Sequence, residues 1–461
     1  ALTPTPINGN PPTTPEQAAL RTPALDWLAA NRLMFGPGAS DLQHIDEIGL
    51  DNFIEEQLAS SQPDDTALQA RLQSLETLTM LPVDLAQAQR SNILLELQQA
   101  TLLRAVYAKR QLFEVLVDFW TNHFNIYFQK NTDHYLKTVD DREVIRPHAM
   151  GKFRDILGAS AHSPAMLVYL DNVTNRKVSS NENYGRELME LHTISVNGGY
   201  TQADVKEVAR AFTGWTAQSA QGANPGAFIY NPRMHDDDAK TILGQALPLH
   251  GGQQDGEHVL DLLAQHANCA QFIASKLARR FISDIPPASV ISLGAEAFTR
   301  SAGDIKATLS AILHSDDFKH SSGQKLKRPL ELIASALRGL DADTDGAAPL
   351  QNFLTQMGQP LFLWQSPDGY PDVSAAWSGA DAVLARWNYG IVLGRNGLKG
   401  TQLNLNNLIS NRSADPITGL SMRLFGAALP ADVQRVLEPF ASDLPTLAAL
   451  LVAAPIFQIR G

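Results

Sequence analysis

The chain has 461 residues, with 37 lysines and arginines against 48 aspartates and glutamates, and a formal net charge of −11 with histidine neutral. A hydrophobic fraction of 44% and a charged fraction of 18% are enough for a large buried core and exclude whole-chain disorder, collagen and coiled coil. Acid in excess, without a long lysine or arginine block, argues against a protein built to grip nucleic acid or an anionic membrane.

Residues 1–20, rich in Pro, Thr and Asn, read as a flexible tail ahead of one domain spanning 21–461. A chain opening on Ala1 with such a tail suggests export, to the periplasm or the extracellular space. From 24 to 34, Leu25, Leu28, Leu33 and Met34 form a helical stripe that stops at Phe35-Gly36-Pro37-Gly38. Residues 85–128 carry a nearly unbroken amphipathic pattern. Further helices are predicted over 203–212, 257–265, 270–281, 304–313, 329–340, 380–387 and 444–453. Strand-like pieces are short, at 125–129 and 227–230, so at most a small hairpin or sheet is expected. The fold class is therefore mainly α, a single large helical domain with long loops at 218–256 and 341–378. The lone Cys269 can form no internal disulfide and reads as a buried thiol. The longest apolar run, 447–456, is interrupted by Pro455 and falls short of the ~20 residues of a membrane-spanning helix, so no transmembrane segment is expected.

The densest polar cluster lies at 179–193. Ser179 with Glu182 has capping-box spacing, so a helix is expected to begin there. At helical periodicity Asn183, Arg186, Glu187 and Glu190 share one face, while Tyr184, Leu188 and Leu191 gather on another. Glu187 and Glu190 are close enough to perturb each other if shielded from water. An Asn-Gly-Gly turn follows, and then a second helix capped by Thr201 with Asp204.

The run NENYGRELMELHTISVNGGYTQADVKEVARAFTGW, with Trp120-Thr121-Asn122-His123-Phe124, Ser163-Pro164-Ala165-Met166-Leu167 and His235-Asp236 ahead of Lys240, resembles the bacterial family called domain of unknown function 1800. The similarity extends from Arg32-Leu33-Met34-Phe35-Gly36 to Ala454-Pro455-Ile456-Phe457-Gln458. Gly185 stands where that family usually has Ala, and Ile194-Ser195 where it has Leu or Met followed by Gly. The resemblance implies an exported bacterial protein, with a protein partner encoded near by in a second uncharacterised family of alkaline-phosphatase-like look. It implies no activity.

The chemistry is therefore read from residues. The leading expectation is an exported hydrolase acting on an extracellular or envelope polysaccharide by carboxylate acid/base catalysis. Glu190 would be the proton donor and Glu187 or Asp204 the charged partner. Asn183, Arg186, His192, His235 and Asp236 would position substrate, and Tyr200 and Trp215, with Trp364, Tyr370 and Trp377, could stack on sugar rings. One alternative is a non-catalytic envelope assembly or binding protein whose polar cluster is a buried hydrogen-bond network. Another is a metal-dependent enzyme using His123, His192 and His235 with carboxylates, although no HExxH spacing supports it. Asp236-Asp237-Asp238 lacks a calcium-loop pattern. There is no Walker loop and no G-x-S-x-G elbow, and Ser163-Pro164 reads as a helix start. No cofactor is expected, and a glycan is the candidate substrate.

Overall fold

A computed structural model describes residues 25–38, 40–59, 65–219, 222, 224–410 and 415–461; the tail expected at 1–20 lies outside the described residues. The first described helix is Leu25–Leu33, and the chain then turns at Gly36, whose φ is +96°. A Cβ at Gly36 would come within 2.5 Å of Ser335 Cβ, so the bare backbone lets this turn press on the helix Pro329–Gly339.

The apolar pattern at 85–128 resolves into Arg90–Tyr107 and Gln111–His123, separated by a break at Ala108 with extended ψ of 137°. Buried Gln111 covers the break, its amide donating to the carbonyls of Ala105 (3.2 Å) and Ala108 (2.8 Å). Periodicity alone could not show that break, because the apolar stripe continues through it. The other predicted helices form with small boundary shifts as Gln202–Ala211, Gln254–Ala264, Ala267–Phe281, Ile305–Leu313, Pro329–Gly339 and Leu444–Ala453, and the helix predicted at 380–387 runs on to Gly394. Phe228–Tyr230 pairs antiparallel with Trp215–Ala217. The piece at 125–129 is irregular instead, and Asn125 uses its side chain to hold the carbonyls of Trp364 and Ser366. Two other two-residue strand pairs and three isolated antiparallel bridges make up the rest of the β structure among the described residues, so the protein is mainly α. Apolar side chains from Leu28 to Phe457 merge in one core.

Within that core sits a cluster of charges. Glu331, in the first turn of Pro329–Gly339, pairs with Arg280, with Arg328 (3.4 Å) and with Arg460 (3.4 Å). Asp118 pairs with Arg280 at 3.2 Å and with Arg328. Arg32 donates to the carbonyls of Ile282 (2.8 Å) and Ser321 (2.7 Å), and Arg460 to those of Arg32 (2.7 Å), Arg280 (2.9 Å) and Asn31 (3.0 Å). The first described helix, the end of Ala267–Phe281 and the last residues of the chain are thereby tied together.

Burial alone would raise the Glu331 carboxyl, but Arg280, Arg460 and Arg328 hold it well below the usual range. Asp372, opposed in the same way by burial and lowered chiefly by Lys325, lies at about 2. Their contribution to stability is complete above the unfolded carboxylate range near pH ~4 and is lost as pH falls toward the folded values. Glu331→Gln removes the carboxylate that three buried guanidinium groups share and leaves Asp118 alone to balance Arg280 and Arg328, so it is expected to cost roughly 3–5 kcal/mol and to flatten the acid limb of stability. Urea unfolding at several pH values checks both.

Candidate functional site

The polar cluster begins with a helix at Asn183–Glu187, later than the Ser179 capping spacing implied; Glu182 ahead of it makes no side-chain cap, and the Asn183 N–H donates to the Asn181 side chain at 3.0 Å. From Leu188 to Thr193 the helix widens to a π-helical turn. Ile194 N–H reaches the Met189 carbonyl (3.0 Å) and the Thr193 hydroxyl donates to the Leu188 carbonyl (2.6 Å), both five residues back. Such turns recur where a helix must re-aim side chains.

Arg186 is shared between Glu182 (3.2 Å), Glu190 (3.3 Å) and the Gln202 side chain (2.9 Å). Glu187, with no cation within ion-pair distance among the described residues, is only partly exposed. Burial first, then the negative charge of Glu190, raise its carboxyl; Arg186 opposes this and Asp368 adds to it. Tyr200 is raised to about 12 by burial and then by its contact with Glu190. Glu187, Glu190 and Tyr200 thus form one electrostatically coupled, partly exposed group.

Other expected site residues are engaged elsewhere. Asn183 donates to the Leu170 carbonyl (3.2 Å) and Asp171 (3.4 Å), within an amide ladder that continues through Asn181, Asn175 and Asn172. Asp204 forms the expected capping box with Thr201, and its second oxygen accepts from Leu243 N–H at 2.7 Å. Burial works against its charge, but these hydrogen bonds, led by Thr201, bring the carboxyl below its ordinary value. Both oxygens being occupied, Asp204 braces the hairpin Thr241–Ile242/Gln245–Ala246.

His235 is sealed from solvent. Its Nδ1 faces the Thr213 carbonyl at 2.7 Å and its Nε2 faces Asp255 at 3.2 Å. Asp255 also takes Lys240 at 2.7 Å, and Asp236 receives Arg210 through two nitrogens at 2.8 and 3.1 Å. Trp215 is fully buried against Phe212, Phe228 and His162. Neither it, His235 nor the 99% buried pair His123 and His192 presents a surface to a polymer.

His123 and His192 have ring centroids 5.9 Å apart, and His123 Nε2 faces the His192 carbonyl at 3.0 Å. Burial first and then Lys276 push His192 down to about 3 and His123 well below its ordinary value. Among the described residues, no group of three or more His, Cys, Asp or Glu side chains is arranged to hold a metal. Cys269 is buried and its thiol pushed up by desolvation. Ser163 starts the helix Pro164–Tyr169, but its hydroxyl donates to Asp140 (2.7 Å) instead of capping.

The loop 358–378, in which the tilted rings of Trp364, Tyr370 and Trp377 pack in series with centroids 4.7 and 5.9 Å apart, is clamped by two asparagines. Asn122 donates to the Tyr370 carbonyl (2.8 Å) and accepts from Tyr370 N–H (2.7 Å), while Asn125 holds Trp364 and Ser366. Gly369 has φ +73°, and a Cβ there would meet the Asn122 carbonyl at 2.2 Å, so only glycine fits this approach. The loop carries Asp368 and Asp372 into a cavity of about 150 Å³ floored by Arg280 and Arg328 and flanked by Lys276. These basic residues were not singled out in the sequence. Their signal was the unusual density of Arg and Lys in otherwise apolar stretches such as Lys325-Leu326-Lys327-Arg328-Pro329-Leu330-Glu331.

Residues 28–459 match the family described as "Protein of unknown function (DUF1800)", and the chain belongs to that family. No curated protein and no solved structure matches it. No helix among the described residues is long and apolar enough to cross a membrane.

His123 and His192, held below the unfolded value near ~6.5, give stability that is complete above that pH and falls as pH drops through it, by about 1.4 kcal/mol per unit per histidine. His192→Phe is expected to lower the pH dependence of the unfolding free energy by one proton between about pH 6.5 and about pH 5. Urea titrations across that range read the difference directly.

Proposed function

We propose that this member of the family is an exported hydrolase that acts on an extracellular or envelope polysaccharide by carboxylate acid/base catalysis, with Glu187 as proton donor and Glu190 as its charged partner. The observation that carries this reading is Glu187 itself, a half-buried carboxyl raised by desolvation and by Glu190, with no cation of its own. Two carboxyls whose environments push their titrations apart are the requirement for one to donate while the other stays charged. Glu190 shares Arg186 with Glu182, which suits the charged role, so the donor role expected for Glu190 passes to Glu187. In the reaction Glu187 gives its proton to the departing glycosidic oxygen as the C–O bond breaks. The attacking water loses a proton to Glu190, and its oxygen bonds to the sugar carbon. Tyr200, coupled to Glu190, orients that carboxylate, and Asp204 has no part in the step.

A second reading, a non-catalytic assembly or binding protein, is favoured by an ion-pair network in which His235 and Lys240 meet Asp255 out of solvent and Arg210 meets Asp236 at its partly exposed edge.

The two readings separate in a polysaccharide hydrolysis screen of wild type against variants. Glu187→Gln is expected to lower kcat at least ~100-fold with unchanged thermal unfolding. Glu190→Gln removes the charge that raises Glu187, so the alkaline limb of its residual kcat profile should move to lower pH. Full activity in Glu187→Gln would end the assignment, and a wild type inert on every polymer tested favours the binding protein.

A further inference from the structure

We propose that the cavity beneath the loop 358–378 is a binding site for a tetrahedral oxyanion, phosphate or sulfate, with Lys276 as its charge anchor. The cavity, about 150 Å³, is well above the about 10–15 Å³ that one water needs. Its wall holds four cations, Lys276, Arg279, Arg280 and Arg328, against two carboxylates, Asp368 and Asp372. That local excess of positive charge stands in a chain of net charge −11.

The protein's own acids do not balance it. Arg280 and Arg328 share Asp118 and Glu331 in the interior, and Asp372 is taken by Lys325 at 2.9 Å. Lys276 has no carboxylate within ion-pair distance and no hydrogen-bond acceptor among the described residues, and its ammonium lies 5.4 Å from the Phe272 ring centre. Burial first and then Arg279 lower it to about 8, the state of a lysine short of a counter-charge.

A second, independent observation points to a missing acceptor. Arg280 Nε and Arg328 Nε, on cavity-lining side chains that are 99% and 97% buried, have no hydrogen-bond partner. Buried donors are rarely left unsatisfied, and an anion with several acceptor oxygens suits such a set. Lysine serves it as a point charge and arginine as a planar fork. Asp368 at the exposed rim disfavours large anions and leaves the entrance to a small one. The site stands independently of the acid pair.

The test is isothermal titration of the full chain with inorganic phosphate, sulfate and acetate at constant ionic strength set by chloride. Wild type is expected to bind phosphate or sulfate at one saturable site. Lys276→Gln should bind at least ~10-fold more weakly, about 1.4 kcal/mol, with an unchanged unfolding midpoint in chloride, and Lys276→Arg should stay near wild type. Arg279→Gln, on the rim and outside the Glu331 cluster, provides a second loss-of-charge variant if Lys276→Gln does not fold. Equal affinity in wild type and both charge-loss variants, the absence of saturable binding in wild type, or a preference for acetate would overturn the proposal.

Discussion

A guanidinium group taken out of water costs several kcal/mol unless carboxylates and carbonyls rebuild its shell, and this protein buries Arg32, Arg280, Arg328, Arg386 and Arg460 together. Carboxylates are too few to pair each of them separately, so Glu331 serves three, and backbone carbonyls complete the rest. Arg32 takes those at the end of Ala267–Phe281, Arg460 those of Asn31, Arg32 and Arg280, and Arg386 that of Lys327 (2.8 Å). Helix C-termini offer such carbonyls because their last turn has no intrahelical donors. The chain's last residues are therefore a structural part of the core, reinforced where Lys327 N–H meets the Gln458 carbonyl (2.7 Å) and Arg460 N–H that of Lys325 (2.8 Å).

This arrangement sets the electrostatics of the surrounding surface. Acids committed to the interior are unavailable to the cavity above it, where Lys276 is left without a counter-ion. Around His235 the balance is the opposite. Asp255 meets both Lys240 and His235, and Asp236 meets Arg210, so that the loop following the strand Phe228–Tyr230 is locked onto Gln202–Ala211 and Gln254–Ala264. Similar residue types thus give a closed brace in one place and an incompletely neutralised hollow in another, and only the pairing distinguishes them.

Much of the fold was legible because it depends on local chemistry. The stripes at 270–281 and 329–340, the Thr201–Asp204 capping box and the short strand near Phe228 each follow from spacing within one turn or one strand. The break at Ala108 was hidden because the apolar stripe runs on through it, while the side chain of buried Gln111 satisfies the carbonyls of Ala105 and Ala108. The site was less legible. A π-helical turn has no compositional mark, and the helical arc drawn through Asn183, Arg186, Glu187 and Glu190 could not reveal that Asn183 is spent on the Leu170 carbonyl. Nor could it reveal that Trp215 and His235 are sealed. Those outcomes depend on partners distant in sequence, such as Leu170 for Asn183 and His162 for Trp215, as does the meeting of Glu331 with Arg460, which no local pattern encodes.

The structure places Glu187 and Glu190 in unequal surroundings. Both sit on one helix, three residues apart, and on a fully solvated face their mutual repulsion would be weak. Arg186 lies four residues before Glu190 and four after Glu182, so its fork closes on those two and leaves Glu187 without a cation. Partial burial then removes the water that would otherwise screen Glu187 from Glu190, and Asp368, brought over by the loop that Asn122 and Asn125 clamp, adds a further negative charge. The asymmetry between the two carboxyls is thus a property of the tertiary arrangement, and it is maintained by asparagines and a glycine that touch neither carboxyl.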